Sequence, residues 1–253
     1  MTLESAPTLC AVCCGPLESP EALILHGMPS KSQNLDVVNS QSVDDTVSLT
    51  LVSCEFCGLL QLDCKPVPYF REVVRAAGIS PEMTAFRSTQ FQAFIADFGL
   101  SDSAIIEIGC GGGEYLTILQ RHASKASGVE FGESALDSCR ARGLAAYRYY
   151  PGETSELIPG GPYSGFVLLN FLEHVPDLRG FLRGIRENLT EDAVGLIEVP
   201  NSDMIRQEKL VAELMVDHLY YFTESTLRLT LELNGFEVIS CGTQLHDYSL
   251  SAI

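Results

Sequence analysis

The glycine-rich segment after Ile105-Ile106-Glu107-Ile108 constrains the fold of this chain more than any other feature. It reads Gly109-Cys110-Gly111-Gly112-Gly113, and apolar residues at helical spacing follow it directly. A β-branched run, a glycine turn and a helix form the strand–turn–helix unit at which α/β proteins bind nucleotides. The run over 126–130 predicts a second strand, and it ends in Glu130, a carboxylate able to accept hydrogen bonds from both hydroxyls of a ribose.

The spacing of the glycines discriminates between nucleotides. A dinucleotide fingerprint, G-x-G-x-x-G, would need Gly or Ala where the chain has Glu114. The sequence instead reads E-x-G-x-G-x-G, with Glu107 two residues before Gly109. A carboxylate at this position would repel a pyrophosphate, whereas it suits a ligand that carries an ammonium and a sulfonium. The segment resembles motif I of the class I S-adenosylmethionine (SAM) methyltransferases, and Glu130 matches their ribose-binding acid.

This resemblance implies an α/β fold, a Rossmann-like domain with a seven-stranded, mostly parallel sheet over residues 99–253. Ligands of such sheets lie at the carboxyl ends of the strands, where a strand predicted over 163–170 ends in Asn170. After the weak strand predicted over 144–149, the sequence offers no clear adenine ligand. The residues expected to bind SAM are Glu107, Gly109, Gly111, Gly113, Glu130 and Asn170.

Two C-x-x-C pairs lie near the start of the chain, forty residues apart. Tetrahedral zinc takes four thiolates, and a spacing of two residues lets both sulfurs of a pair reach one ion. The pairs predict a structural Zn²⁺ site in a small domain over residues 1–65, with strands at 23–25 and 47–51. Four unrelated thiols are the alternative, and Cys14 and Cys64 are the replacement ligands. The predicted ligands are Cys10, Cys13, Cys54 and Cys57.

Residues 66–98 predict a helical linker or lid. One amphipathic helix covers 69–75 and is broken by Gly78, and a second begins at Ser80-Pro81-Glu82. Helices before the first strand of this fold often cover the cofactor, so Tyr69 or Phe70 is a candidate to reach the site. The second helix carries an apolar stripe that consists of Phe86, Phe91, Phe94, Ile95 and Phe98. The competing interpretation is that these apolar residues are ordinary core.

Composition excludes two classes of partner. Acidic residues outnumber basic ones by 33 to 16, a net charge of −17, so nucleic acid is not expected as a substrate. No run approaches the roughly 20 apolar residues of a membrane span, and residues 1–7 lack the features of a signal peptide. Nine cysteines fit metal ligands or buried thiols in a reducing compartment. We therefore expect a cytoplasmic protein with a small-molecule substrate and no membrane partner, of open oligomeric state.

The last eighty residues predict further elements of the same sheet. A helix over 178–189 and a strand over 194–201 precede a long helical stretch. Thr223 is the expected N-cap of a helix over 224–233, and strands are predicted over 236–240 and 248–253, the final one antiparallel. Glu173-His174-Val175-Pro176-Asp177 resembles the E-H-x-x-D signature that follows the fourth strand of methyltransferases, where the acid–histidine pair is more often architectural than catalytic.

The cysteine pairs, the glycine loop and Asp217-His218 before an aromatic run together resemble the zinc-containing C-methyltransferases of nucleotide-linked keto-deoxysugars. In that family an acid–histidine pair supplies the base. The resemblance implies that His218 removes a proton next to a ketone and that Asp217, in place of the family's Glu, orients it. His174 is the next candidate. The family's C-terminal sugar-binding domain lies outside these 253 residues, which leaves open a short family member or a piece of a longer protein.

Two other functions remain open from the sequence. One is an O- or N-methyltransferase of a small natural product with the same cofactor site. The other is a non-catalytic zinc- and SAM-binding module.

Overall fold

The computed structural model describes residues 9–17, 22–32, 46–72 and 79–253. The strands in these ranges are β1 (Leu23–Pro29), β2 (Thr46–Ser53), β3 (Leu60–Leu62), β4 (Ile105–Ile108), β5 (Ala126–Glu130), β6 (Ala146–Arg148), β7 (Tyr163–Leu169), β8 (Leu189–Pro200), β9 (Tyr220–Tyr221), β10 (Cys241–Gln244) and β11 (Ser249–Ala252). The α-helices are α1 (Pro81–Asp97), α2 (Glu114–Leu119), α3 (Glu133–Ala141), α4 (Leu178–Arg186), α5 (Ser202–Gln207) and α6 (Glu224–Leu233).

The seven-stranded sheet has the order β10-β11-β8-β7-β4-β5-β6. Strand β4 pairs in parallel with both β5 and β7, and β5 pairs in parallel with β6. The hairpin of β10 and β11 is antiparallel. The strand order reverses between β4 and β7, which is the position where open α/β sheets bind their ligands. The predicted fold class, α/β with a mostly parallel seven-stranded sheet, is confirmed.

The chain divides into two compact units. Unit 1 comprises Met1–Val73, Leu172–Leu178 and Glu198–Ala252, and unit 2 comprises Val74–Phe171, Arg179–Ile197 and Ile253. The domain limits expected from the sequence, 1–65, 66–98 and 99–253, stay predictions.

The central strands of unit 2, β4, β5 and β7, are buried along nearly their whole length. All four residues of β4 are buried, as expected of a parallel strand covered on both faces. Helix α1 begins as the sequence predicts, because the Ser80 hydroxyl accepts a hydrogen bond from the Met83 N–H at 3.1 Å and Pro81 occupies the first turn. Phe91 and Phe94 of this helix are buried in the core of unit 2.

Unit 1 contains an antiparallel sheet of order β1-β2-β3-β9. The strands predicted at 23–25 and 47–51 are both present, and β1 pairs with β2. A separate apolar core packs against this sheet. It consists of Leu49, Leu51, Leu62, Val67, Val216 and Tyr221. The expected helix over 69–75 falls partly on residues 73–78, outside the described residues, and Phe70–Glu72 forms a 3₁₀ turn.

The predicted strand over 236–240 is wrong. Helix α6 ends at Asn234, Gly235 has a φ of +83°, and the Phe236 N–H closes the helix on the Leu231 carbonyl. These residues therefore complete a helix end, and the strand that follows is β10. The N-cap of α6 is confirmed, since the Thr223 hydroxyl accepts from the Thr226 N–H.

The long helix expected after Asn201 is also wrong. Helix α5 has six residues, and Lys209 then takes a φ of +55°, which a continuing helix does not allow. Strand β8 begins at Leu189, earlier than the expected 194, and the weak strand over 144–149 shortens to β6. Among the helices of the described ranges, none is both long enough and apolar enough to cross a membrane.

Candidate functional site

The glycine loop of unit 2 lies at the carboxyl end of β4. The N–H groups of Gly109 and Cys110 both donate to the Val129 carbonyl, at 2.9 and 3.0 Å, which fixes the start of the loop against β5. Gly109, Gly111 and Gly113 all have positive φ, at +70°, +54° and +85°. L-residues other than glycine rarely adopt this conformation, so the alternate glycines give the loop its shape.

The three glycines differ in what surrounds them. A Cβ on Gly109 would overlap the Phe171 ring, and a Cβ on Gly113 would overlap Leu144. A Cβ on Gly111 would meet nothing within 4 Å. The outer two glycines are therefore needed for packing, and Gly111 borders open space in which a ligand can approach the backbone.

Glu130 is held by the backbone around it. Its Oε2 accepts from the Gly111 N–H at 3.0 Å, and its Oε1 accepts from the N–H groups of Phe131 and Gly132 at 2.8 and 2.9 Å. These three main-chain bonds fix the orientation of the carboxylate. The geometry joins the predicted ribose acid to the middle glycine of the loop.

The other two predicted cofactor residues lie on the strands that flank the reversal point. Glu107 is buried on β4, opposite Gly128 of β5 and Val167 of β7. Asn170 is exposed just beyond the end of β7 and has a φ of +50°. Glu107 therefore lies on the strand that leads into the glycine loop, and Asn170 lies just beyond the end of β7, which pairs with that strand.

An aromatic cluster beside this loop was missed by sequence reasoning. Tyr150 lies 6.4 Å from Phe131 and 5.4 Å from Phe181 between ring centroids, and Phe171 stacks on Phe181 at 5.6 Å. Phe131 is half-buried and follows Glu130 directly. Phe131, immediately after the predicted ribose acid, was the signal available in the sequence for this cluster.

The four predicted zinc ligands come together in unit 1. Cys10 Sγ lies 3.6 Å from Cys57 Sγ, and Cys13 Sγ lies 3.5 Å from Cys54 Sγ. All four sulfurs lie within 4.8 Å of one another. Zn–S bonds of about 2.3 Å in a tetrahedron place sulfurs about 3.8 Å apart, so the donor set fits one zinc ion.

The two cysteine pairs have the same backbone geometry. In each, the residue after the second cysteine has positive φ, Cys14 at +58° and Gly58 at +78°. Its N–H donates to the carbonyl of the first cysteine, at 3.0 Å for Cys14 and 2.8 Å for Gly58. Cys14 is exposed because it occupies this turn position, and neither it nor Cys64 belongs to the cluster.

The acid–histidine residues of unit 1 form a second cluster. Glu173 and His174 lie in a 3₁₀ turn, and the Leu219 N–H donates to the Glu173 carbonyl at 2.8 Å. The His174 Nδ1 donates to the main-chain carbonyl of Asp217 at 2.8 Å, and the His174 and His218 rings meet edge to face at 4.7 Å. Because a carbonyl only accepts, His174 carries its proton on Nδ1, and its Nε2 lone pair is available.

Burial keeps these side chains neutral. It lowers the pKa of His174, with Asp217 opposing the shift, and it lowers the pKa of His218 well below 6.5, with His174 adding to the effect. Burial, reinforced by repulsion from Asp217, raises the pKa of Glu173 to about 8. The sequence suggested a histidine poised near neutral pH, whereas the structure holds both imidazoles unprotonated at pH 7.

Two further features of unit 1 bear on the predictions. Burial raises the pKa of Tyr69, a predicted lid residue, and repulsion from Asp217 adds to the shift. The Tyr69 hydroxyl accepts from the Ser32 N–H at 3.2 Å. A cavity of about 540 Å³ bordered by Asn201, Glu224 and Asp247 contains none of the predicted site residues.

Comparison with known proteins places the chain in a family. The methyltransferase domain family matches residues 83–241, more than half of the chain. The chain therefore belongs to this family, and the four cysteines lie outside the matched range. A ubiquinone biosynthesis O-methyltransferase of Bordetella avium (strain 197N) is 28% identical over 89 residues, covering 33% of this chain and 37% of that protein. The chain spans well under half the length of the curated relatives it matches.

Solved structures support the same class by fold. A SAM-dependent methyltransferase from Archaeoglobus fulgidus superposes with a TM-score of 0.53 at 20% identity, covering 64% of this chain and 73% of that one. Magnesium protoporphyrin IX methyltransferase from Synechocystis PCC 6803, with bound SAH, gives 0.52 at 15% identity over 72% of this chain and 90% of that one. The chain therefore belongs to the methyltransferase domain family, and its fold is that of these SAM-dependent methyltransferases.

Proposed function

We propose that the protein transfers the methyl group of SAM to a carbon atom of a small metabolite, a nucleotide-linked keto-deoxysugar or a similar compound. The observation that carries this proposal is the buried acid–histidine cluster, in which two neutral imidazoles are available as bases. Transfer to carbon needs such a base, because a carbon next to a ketone becomes nucleophilic only after it loses a proton.

The glycine loop and its surroundings are the proposed SAM site. Glu130 would accept from the ribose, and Gly111 would let the ligand approach the backbone. Glu107 and Asn170 would bind at the ends of their strands, with Gly109 and Gly113 shaping the loop. Bound SAM supplies an electrophilic methyl on a sulfonium. The loop fits this group because Gly111 borders open space and the Glu130 carboxylate is already oriented.

The acid–histidine cluster is the proposed base. His218 takes the proton from the carbon next to the ketone, and His174 is the alternative, since its Nδ1 bond leaves Nε2 to accept a proton. Asp217 acts as a positioning residue. Its main-chain carbonyl holds His174, which in turn contacts the His218 ring. This arrangement gives Asp217 an indirect role, where the sequence suggested direct orientation of His218.

Loss of deuterium from a substrate labelled next to the ketone, with SAM replaced by its demethylated product, tests the base. Wild type should exchange the label with water. His218→Ala should bind SAM normally and lose about 10²–10⁴-fold in exchange rate and turnover, the usual range for general acid–base catalysis. Asp217→Asn should lose little, because the main-chain carbonyl that holds His174 stays in place. The matched control is His26→Ala, an exposed histidine outside the cluster. Exchange by His218→Ala at the wild-type rate, with loss in His174→Ala, would move the base to His174.

The four cysteines are proposed to hold one structural Zn²⁺. The short distances between their sulfurs and the repeated turn geometry support this role, and four thiolates leave no open position for chemistry. Metal is not expected to take part in methyl transfer from this site.

A second candidate function is O-methylation. The similarity to ubiquinone biosynthesis O-methyltransferases favours it, and the same SAM site would serve it. The histidine cluster would then deprotonate a hydroxyl, and no carbon-bound label would exchange. A non-catalytic role is the third possibility, and methyl transfer to any substrate would exclude it.

We also propose a cytoplasmic location and a small-molecule substrate, with neither nucleic acid nor membrane as a partner. Nine cysteines without a disulfide in the described residues fit a reducing compartment. A net charge of −17 disfavours phosphate polymers.

A further inference from the structure

Three side chains of unit 1 converge outside the cysteine pairs. One ligand atom each from Glu173, His174 and His218 lies within 4.8 Å of the others, and all three side chains are buried. The Glu173 Oε1 is 3.9 Å from His174 Nε2. Two imidazoles and a carboxylate are a donor set that divalent metals of the zinc type accept.

The surroundings of these residues are those of metal ligands. His174 donates its other ring proton to a main-chain carbonyl, at 2.8 Å, which fixes the ring and directs Nε2 into the cluster. Such an outer hydrogen bond is the usual support of a ligating histidine. In the part of the chain that the structure describes, the buried Glu173 Oε2 has no hydrogen-bond partner. A buried carboxylate oxygen without a hydrogen bond lowers the stability of the fold, and a bound cation would satisfy this oxygen.

We propose that Glu173, His174 and His218 bind a divalent cation such as Zn²⁺, and that this binding inhibits the enzyme. The inhibition rests on the proposed function, because the metal takes the His218 lone pair that the base needs. The binding itself does not depend on it. The cation competes with the proton of the substrate for the same nitrogen, so metal occupancy and proton abstraction exclude each other.

Closing the site needs small movements only. Ligands in a tetrahedron around one ion, with bonds of about 2.0–2.2 Å, lie about 3.3–3.6 Å apart. The three ligand atoms already lie within 4.8 Å of one another, so shifts of roughly 1–1.5 Å would close the site.

Cobalt and zinc titrations of the whole protein test the proposal. Co²⁺ at the cysteine site gives intense thiolate charge-transfer absorption, whereas a second Co²⁺ on two imidazoles and a carboxylate adds weaker visible bands without it. We expect about two metal ions per chain, the second removed by a mild chelator. Zn²⁺ beyond the first equivalent should slow deuterium exchange in wild type.

Variants distinguish metal binding at these three buried residues from metal binding at surface histidines. Glu173→Gln and His174→Gln should weaken the second ion at least about tenfold, with each variant's exchange compared with its own metal-free rate. His246→Gln, an exposed histidine beside Asp247, is the matched control and should keep the ion. A single metal per chain in wild type, or loss of the second ion only in His246→Gln, would overturn the site. Binding of the second ion without slower exchange would overturn the inhibition and the base at His218, and would leave the site.

Discussion

At the scale of single residues, Glu130 connects the glycine loop to the second strand of unit 2. Its carboxylate accepts three main-chain N–H groups, one of them from Gly111. Removing the Glu130 carboxylate would break the hydrogen bond that holds the Gly111 N–H. It would at the same time delete the proposed ribose acceptor. The loss should therefore be visible in affinity for SAM.

We predict that Glu130→Ala weakens SAM binding by about 1.5–3 kcal/mol, the range for hydrogen bonds to a charged group. Titration calorimetry measures it. Glu133→Ala is the control, since this nearby carboxylate is exposed and pairs with Arg140 on the surface. Equal affinity in both variants would mean that Glu130 does not contact the cofactor.

Gly111 and Gly113 allow a matched comparison. Gly113→Ala would suffer both a positive φ and overlap with Leu144, so it should lower thermal stability strongly. Gly111→Ala meets no neighbour and should cost only the left-handed conformation, about 1–2 kcal/mol. For SAM affinity we predict the opposite order, with the larger loss at Gly111. Gly111→Val should fold but bind SAM more weakly, because its side chain enters the open space. Melting curves with and without SAM separate the two effects. Normal SAM binding by Gly111→Val would contradict this use of the loop.

The residue identities at the loop could be predicted from sequence because the signal is local. The E-x-G-x-G-x-G spacing and the acid at the end of the next strand lie within one strand–turn–helix unit. The state of His218 could not be predicted. Its low pKa comes from burial and from His174, which is 44 positions away in the chain.

At the scale of elements, the two cysteine turns are the clearest case of sequence dictating structure. Each C-x-x-C is followed by a residue with positive φ and by the same main-chain hydrogen bond. The spacing alone was sufficient to predict the set of four, because each pair is one turn. Cys14 looked like a possible substitute, and its backbone position explains why it points elsewhere.

We predict that Cys54→Ser lowers the zinc that survives a mild chelator from about one ion per chain, and that it lowers the melting temperature of unit 1 before it affects methyl transfer, since structural zinc binding is coupled to folding. Metal analysis and calorimetry measure the two effects. Cys14→Ser should change neither. A protein that is fully folded without metal, with all four thiols open to alkylation, would rule out the zinc site.

Helix ends were the weakest sequence-based predictions. The apolar alternation of 236–240 fits a strand, but the Phe236 N–H is used to close α6. The stretch after Asn201 has helical composition, yet it turns at Lys209 after only six helical residues. In both places the local pattern is present in the sequence, but the observed backbone geometry overrides it.

At the scale of the whole molecule, the sheet could be predicted from the sequence. The contacts between residues far apart in the chain could not. Mostly apolar, buried strands and the glycine turn define a parallel α/β sheet by themselves. By contrast, Glu173 and His174 meet Asp217 and His218 across more than forty positions, with no periodic signal to join them. This cluster carries the proposal of carbon methylation, so that proposal depends on structure more than on sequence.

The product of methyl transfer tests this central claim most directly. With SAM labelled by ¹³C in its methyl group, and with a nucleotide-linked keto-deoxysugar labelled by ¹³C at the carbon next to the ketone as substrate, carbon NMR reports the atom to which the methyl is attached. We predict a methyl signal split by coupling to a sugar carbon next to the ketone, absent from His218→Ala. A labelled methyl on oxygen or nitrogen, formed equally well by His218→Ala, would contradict the account.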